Sequence, residues 1–141
     1  MALPDTDPFR GTWKLKSHSS QPALPPPSSW IHHIQTTAET IHAREEIVSA
    51  TGERTTIAVH ARFDGLDYPV SGSPQVDAMA YKRDNERRIS GIGKKGKKTL
   101  WSETATVSAD GQTLTIKIAS QAKTSAGFEI TVVFEKLPSN S

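Results

Sequence analysis

The sequence predicts an all-β protein, a closed antiparallel up-and-down β-barrel of about 8–10 strands. Short segments in which apolar and polar residues alternate follow one another from about Trp30 to Lys136. Turns that contain glycine or aspartate separate these segments, and no helix-length segment lies between them. So many strands bury their apolar faces only if the sheet closes on itself or packs on another sheet. A succession of hairpins favours the barrel, because a Greek-key sandwich needs at least one long crossing connection.

The first predicted strand covers residues 9–18, and a proline-rich stretch at 21–29 follows it. Proline cannot donate to a ladder, so this stretch is predicted to be a stiff loop that covers one barrel mouth as a lid. The next strands are predicted at 30–36, 41–49 and 55–63. A period of two gives the last of these an inward and an outward face. The inward residues are Ile57, Val59, Ala61 and Phe63, and the outward residues are Thr56, Ala58, His60 and Arg62.

The second half of the chain continues the pattern. Strands are predicted at 68–70, 77–83, 87–94, 99–107, 113–121 and 127–136. The turns between the last four contain Lys95-Gly96, Asp110-Gly111 and Ser125-Ala126, and glycine and aspartate suit the positive φ of tight hairpins. Alternation turns Met79 and Tyr81 inward. The turn at Lys95-Gly96 admits two registers, and these place Trp101 on opposite faces.

Length and composition limit the class of protein. A chain of 141 residues suits one domain, predicted to span residues 1–141 with a tail at 1–8. A net charge of +2 is too weak to indicate a nucleic-acid partner. No apolar stretch approaches the roughly 20 residues that cross a bilayer, so no membrane partner is expected. The start of the chain lacks a secretory signal, which predicts a cytoplasmic protein and leaves a secreted or periplasmic one open. The protein is expected to be a monomer or a homodimer.

The opening strand contains Gly11-Thr12-Trp13 and resembles the Gly-x-Trp first strand of lipocalin and calycin barrels. The stretches Phe63–Gly72 and Val107–Thr115 are similar to small bacterial lipocalin-like proteins. The resemblance implies a closed antiparallel barrel with an internal cavity for a small, mainly apolar molecule, and a Trp13 side chain that fills the closed end. It implies no single activity, because such barrels include carriers, haem-binding proteins, isomerases and cyclases. Glu45 departs from the usual pattern, in which comparable positions are aliphatic.

Glu45 is the first candidate for chemistry, because the hairpin register places it with Ile57 and Val59 on an inward apolar face. Desolvation would raise the pKa of this carboxyl and suit it to act as a general acid or base. The alternatives are a binding handle without chemistry and a structural carboxyl bonded to a facing strand. His32 and His33 point to opposite faces, so one of them should face inward and bind a ligand or relay a proton with Glu45. The pattern slightly favours His32.

The predicted cavity wall is apolar and aromatic. The expected ligand-binding residues are Ile57, Val59, Phe63, Met79, Tyr81, Trp101, Leu114, Ile116, Ile130 and Val132. No cofactor and no metal site is expected, since the chain has no cysteine, and His42 and His60 should meet on the polar face without a third ligand. Three hypotheses remain, of which the third is a purely structural or partner-binding domain. The protein binds a small hydrophobic or aromatic ligand, or it is a cofactor-independent isomerase, cyclase or lyase that uses Glu45 as its acid or base, with His32 as the second catalytic candidate.

Overall fold

The computed structural model describes residues 7–21, 25–120 and 129–138, and these form a closed antiparallel barrel of ten strands. The strands are β1 Gly11–Gln21, β2 Ser29–Thr36, β3 Thr40–Val48, β4 Arg54–Arg62, β5 Asp67–Ser71, β6 Ala78–Asn85, β7 Arg88–Lys95, β8 Lys98–Val107, β9 Thr113–Ser120 and β10 Glu129–Lys136. Each strand pairs with the next one in the chain, and β1 also pairs with β10. The predicted fold class and strand order are confirmed. The described ranges contain no helix, and so none that could cross a membrane.

The hairpin of β3 and β4 has the predicted register. Glu45 pairs with Ile57 across the hairpin, and Val59 is buried on the same inner face. His60 is exposed and stacks on His42 of the neighbouring strand, with ring centroids 5.2 Å apart. The predicted inward and outward faces of β4 are therefore confirmed, and Glu45 lies on the inner one.

One end of the barrel is filled by the largest fully buried side chains. These are Phe9, Trp13, Val107, Leu114, Val132 and Phe134. Trp13 donates its indole N–H to the carbonyl oxygen of Phe9 at 3.0 Å, so its only polar atom is satisfied. Lys136 Nζ lies 5.1 Å from the centroid of the Trp13 ring. Trp13 thus fills the closed end, as the resemblance implied.

The segment before β1 docks on this closed end through an ion pair. Arg83 donates two hydrogen bonds to the Asp7 carboxylate, at 2.7 and 2.9 Å, and both side chains are 13% exposed. The guanidinium lies over the rings of Phe9 and Phe63, at 5.4 and 5.7 Å from their centroids. Burial alone would raise the pKa of Asp7, but hydrogen bonds from Arg83 and the Phe9 amide hold it below its ordinary value. Arg83 therefore ties the N-terminal segment to β6.

A bulge in the hairpin of β7 and β8 decides which way Trp101 faces. The two-residue turn Gly96-Lys97 has positive φ at both positions, 57° and 69°, as a tight hairpin requires. Regular pairing from this turn would set Trp101 opposite Ile92, whose side chain is exposed. A register shift between Gly93 and Lys94 instead sets Trp101 opposite Gly93, on the inner face. The bulge selects one of the two registers that the sequence allows.

The predicted lid lies partly outside the described residues, which omit residues 22–24. At its other end, Ser28 donates its backbone N–H to the Val48 carbonyl at 2.8 Å and its hydroxyl to the Ser49 carbonyl at 3.0 Å. These bonds hold the start of β2 beside the end of β3. The lid itself stays a prediction. The predicted turn at Ser125-Ala126 also lies outside the described residues.

Candidate functional site

A cavity of about 250 Å³ lies inside the barrel, at the end opposite Trp13. Eight of the ten strands contribute side chains to it, and the segment between β5 and β6 adds Ser73, Gln75 and Val76. Its aliphatic wall consists of Ile47, Ile57, Val59, Val70, Ile116, Ile118 and Ile130. The barrel therefore has a packed end and a hollow end.

Most of the residues predicted for the cavity do line it. They are His32, Glu45, Ile57, Val59, Met79, Tyr81, Trp101, Ile116 and Ile130. Three predicted ligand-binding residues, Phe63, Leu114 and Val132, are not in its wall and pack in or against the core instead. Alternation correctly predicts that these side chains point inward. It carries no information on depth along the barrel axis, and depth decides whether an inward side chain meets the cavity or the packed end.

Glu45 projects from β3 into the cavity, where an indole holds it. Trp30 Nε1 donates a hydrogen bond to Glu45 Oε1 at 3.0 Å. Burial raises the pKa of Glu45 to about 7, against the effect of this hydrogen bond, which favours the ionised form. Among the described residues Glu45 has no ion-pair partner. Glu45 is thus partly buried, and no described residue compensates its charge with an ion pair.

Glu103 is a second cavity carboxyl, which sequence reasoning missed. Trp101 Nε1 donates to Glu103 Oε1 at 3.0 Å, so an indole holds this group as well. Burial raises the pKa of Glu103 to about 7; the bond from Trp101 opposes that rise, and the nearby Glu45 adds to it. The spacing Trp101-Ser102-Glu103 offers a signal, because residues two apart in a strand share a face in either register. If Trp101 faces the cavity, Glu103 must do so too.

Two glycines of β7 make room for these side chains. Gly93 pairs with Trp101, and Gly91 pairs with Glu103. A Cβ at Gly93 would lie 2.4 Å from Trp101 Cε2, and one at Gly91 would lie 3.0 Å from Tyr81 Cε1 and 3.1 Å from Glu103 Cγ. A Cβ at residue 93 would therefore displace the indole, whereas one at residue 91 would require only a small shift of the phenol and the carboxyl.

His32 is a buried imidazole on the cavity wall. The residue lies opposite Glu45 in the pairing of β2 with β3 and is 8% exposed. Its Nδ1 atom is buried and has no hydrogen-bond partner among the described residues. Burial, together with the neighbouring His33, lowers the pKa of His32 to about 4. The ring is therefore neutral near pH 7.

The described part of the cavity wall carries acidic and neutral polar groups. Tyr81 lies close enough to both carboxyls for electrostatic interaction. Burial raises the pKa of Tyr81 well above its ordinary value, and the charges of Glu103 and Glu45 add to this rise. None of the described lining residues is Lys or Arg. No group of three or more His, Asp or Glu among the described residues could hold a metal ion. The arrangement can hydrogen-bond a ligand, accept a positive charge, or exchange a proton.

No protein-family model matches the chain, and no curated protein matches it. The cavity and the barrel are therefore the features of the molecule that indicate a function.

The free energy of unfolding of the ligand-free protein is expected to fall by about 1 kcal/mol per unit as the pH rises from about 5.5 to 7. The unfolded carboxyls ionise at their ordinary pKa of 4.5, whereas folded Glu45 and Glu103 keep their protons to about pH 7, so a higher pH favours the unfolded chain. His32 opposes this, because its imidazole binds a proton below pH 6.5 only when unfolded. Two carboxyls outweigh one imidazole. Urea denaturation across this range measures the slope.

The double variant Glu45→Gln/Glu103→Gln is the control for this pH dependence. Without the two carboxyls, His32 alone remains, and the free energy of unfolding should rise with pH below about 6.5. Carboxyls with a lowered pKa, such as Asp64 and Asp110, titrate below this window and do not disturb it. An unchanged slope in the double variant would contradict the assignment.

Proposed function

We propose that the protein binds a small, mainly apolar molecule in the barrel cavity. The observation that carries this proposal is a space of about 250 Å³ in a barrel whose opposite end is fully packed. Empty space of this size forfeits packing energy on the order of several kcal/mol, so a barrel with no ligand would be more stable if its own side chains filled it. Because only one end of the barrel is hollow, the cavity supports a binding role for that end.

The volume bounds the size of the ligand. An apolar cavity of about 150 Å³ in another protein holds benzene, which by proportion allows roughly ten non-hydrogen atoms in this cavity of about 250 Å³. Pockets for drug-sized ligands are larger, about 300–1,000 Å³. A single aromatic ring with a short substituent fits the space, and so does a compact aliphatic molecule.

The barrel type supports the same function. The closed antiparallel ten-strand barrel is compatible with a calycin-like fold, which agrees with the resemblance of Gly11-Thr12-Trp13 to lipocalin first strands. Barrels of that kind include carriers of small apolar molecules, but also enzymes. The fold therefore favours an internal ligand and leaves the chemistry to the cavity residues.

Filling the cavity is expected to abolish binding. Ile118→Trp adds an aromatic ring to the wall, so a small probe such as p-cresol should raise the thermal midpoint of the wild-type protein but not that of the variant. Lys117→Trp is the matched control, because residue 117 is the exposed neighbour on the same strand. Equal stabilisation of Ile118→Trp and wild type would show that the probe binds elsewhere and would contradict the proposal.

The second candidate function is proton-transfer catalysis, as in an isomerase, cyclase or lyase. It is favoured by Glu45 and Glu103, two interacting carboxyls with a pKa of about 7, since such a pair can hold one acid and one base near neutral pH. If Glu45 transfers a proton, Glu45→Gln should keep ligand affinity while turnover falls by roughly 10² or more. Turnover retained in Glu45→Gln would end the catalytic role of this residue and leave the binding function intact.

A further inference from the structure

We infer that the ligand of this cavity is a small organic cation, an aromatic or alkyl amine held between the carboxyls of Glu45 and Glu103. The inference deepens the proposed function and rests on it. It adds the charge of the ligand and the groups that recognise it.

The charge balance of the cavity wall is the first step. Two carboxyls face the same space, and none of the described residues in the wall is Lys or Arg. Among the described residues, neither carboxyl enters an ion pair. Carboxylates removed from water need a positive partner, and without one they take up protons more readily. A cationic ligand would supply the charge that the described wall residues do not supply.

The two indoles orient the carboxyls. Trp30 and Trp101 each donate one hydrogen bond to the Oε1 atom of a glutamate, at 3.0 Å in both cases. No hydrogen bond to either Oε2 comes from the described residues. A carboxylate has acceptor capacity on both oxygens, so each group keeps an acceptor for the N–H of an ammonium. The wall therefore fixes the position of these acceptors before a ligand arrives.

His32 is a further buried polar group of the cavity wall that the described residues do not satisfy. The residue is 8% exposed and lines the cavity, and its Nδ1 atom is buried without a hydrogen-bond partner among the described residues. A buried polar atom without a partner costs free energy comparable to a lost hydrogen bond. Because the imidazole is uncharged, it adds no positive charge that would repel a cationic ligand.

The remaining wall selects an organic cation over an inorganic one. The rings of Trp30, Tyr81 and Trp101 line the cavity, and aromatic faces attract cations. The isoleucines of β4, β9 and β10 offer apolar contact to the rest of the ligand. An amine that carries one aromatic ring satisfies both parts of the wall within the volume available.

Proton release provides a readout of the charge. Among the described residues, the titratable groups that face the cavity are His32, Glu45, Tyr81 and Glu103. Below pH 7 the two glutamates hold protons in the empty protein, and a bound cation favours their ionised form. Binding of an amine at pH 6.5 should therefore release protons, whereas binding of a neutral analogue should release none.

The test compares 2-phenylethylamine with 2-phenylethanol, which have the same number of non-hydrogen atoms. The amine is an ammonium at pH 8, as a lysine side chain is. Isothermal titration calorimetry of the wild-type protein at pH 8 should give at least about tenfold tighter binding for the amine. At pH 6.5, heats in two buffers of different ionisation enthalpy should show proton release for the amine alone.

The variant Glu45→Gln/Glu103→Gln keeps the shape of both side chains and removes their charge. It should lose about tenfold or more in affinity for the amine and keep affinity for the alcohol within about twofold. Equal or tighter binding of the alcohol to the wild-type protein, or amine binding without proton release, would overturn the cationic ligand and leave the proposed function standing. Absence of binding by both probes and by p-cresol would overturn the cationic ligand and the proposed function together. The calorimetry on the wild-type protein decides the matter even if the double variant does not fold.

Discussion

Asp7→Ala is expected to lower the free energy of unfolding by about 3 kcal/mol, a large fraction of the stability of a small domain. Removing one partner of a fully buried ion pair costs about 3–5 kcal/mol, and the pair of Asp7 and Arg83 is mostly but not fully buried, with 13% of each side chain exposed. The lower end of that range applies here, since Arg83 would still donate to the carbonyl oxygens of Glu86 and Asn85, at 2.8 and 3.3 Å. The bond from the Phe9 amide to the Asp7 carboxylate, 3.0 Å long, would also be lost. Urea denaturation at pH 7 measures the change.

Glu39→Ala is the matched control for Asp7→Ala. It breaks the pair of Glu39 and Arg62, whose atoms are 3.4 Å apart but whose side chains are 76% and 62% exposed. Exposed pairs contribute about 0–1 kcal/mol, so the control should leave stability almost unchanged. The Asp7 contribution is complete above the ordinary pKa of 3.8 and is lost as the pH falls through the lowered value in the folded protein. Equal losses in the two variants would contradict an anchoring role for Asp7.

Gly93→Ala is expected to destabilise the protein by about 2 kcal/mol and to displace Trp101. The new Cβ would lie 2.4, 2.7 and 2.9 Å from three atoms of the indole, so the ring must move. Overpacking of this kind costs about 1–3 kcal/mol. This cost exceeds the roughly 0.4–1 kcal/mol by which alanine in place of glycine stabilises the folded protein, because alanine lowers the entropy of the unfolded chain. Moving the ring also breaks its hydrogen bond to Glu103. Near-ultraviolet circular dichroism reports the indole, and urea denaturation reports the stability.

Two further variants isolate this contact. Ile92→Ala changes the outward neighbour, which is 39% exposed, and should leave the tryptophan spectrum unchanged. In a Trp101→Ala background, Gly93→Ala should lower the free energy of unfolding only slightly, because the clashing ring is gone. The coupling energy of this double-mutant cycle should therefore account for most of the loss of about 2 kcal/mol expected for Gly93→Ala alone. A full cost of Gly93→Ala in that background would show that the backbone, and not the indole, requires glycine.

Several features of the protein follow from local pattern alone. Alternation of apolar and polar residues, cut by turn residues, predicted an antiparallel barrel and strand positions mostly within one or two residues of those observed. The same period of two predicted an inward Glu45, because the register of β3 against β4 follows from their short connection. Such features depend on residues close together in the chain, and short-range sterics and hydrogen bonding act on those residues directly.

The composition of the cavity was decided by tertiary structure. The register shift between Gly93 and Lys94 turns Trp101 and Glu103 inward. The pairing of Gly91 with Glu103 could not be predicted from the sequence, because it depends on this shift. Depth along the barrel axis separated Phe63, Leu114 and Val132 from the cavity residues. Alternation predicts on which face of a strand a side chain lies. Whether an inward side chain lines the cavity depends on its depth along the barrel axis, which is set by the register of all the strands that surround the cavity. The proximity of Glu45 to Glu103 also depends on tertiary structure, because β3 and β8 face each other only across the interior of the closed barrel.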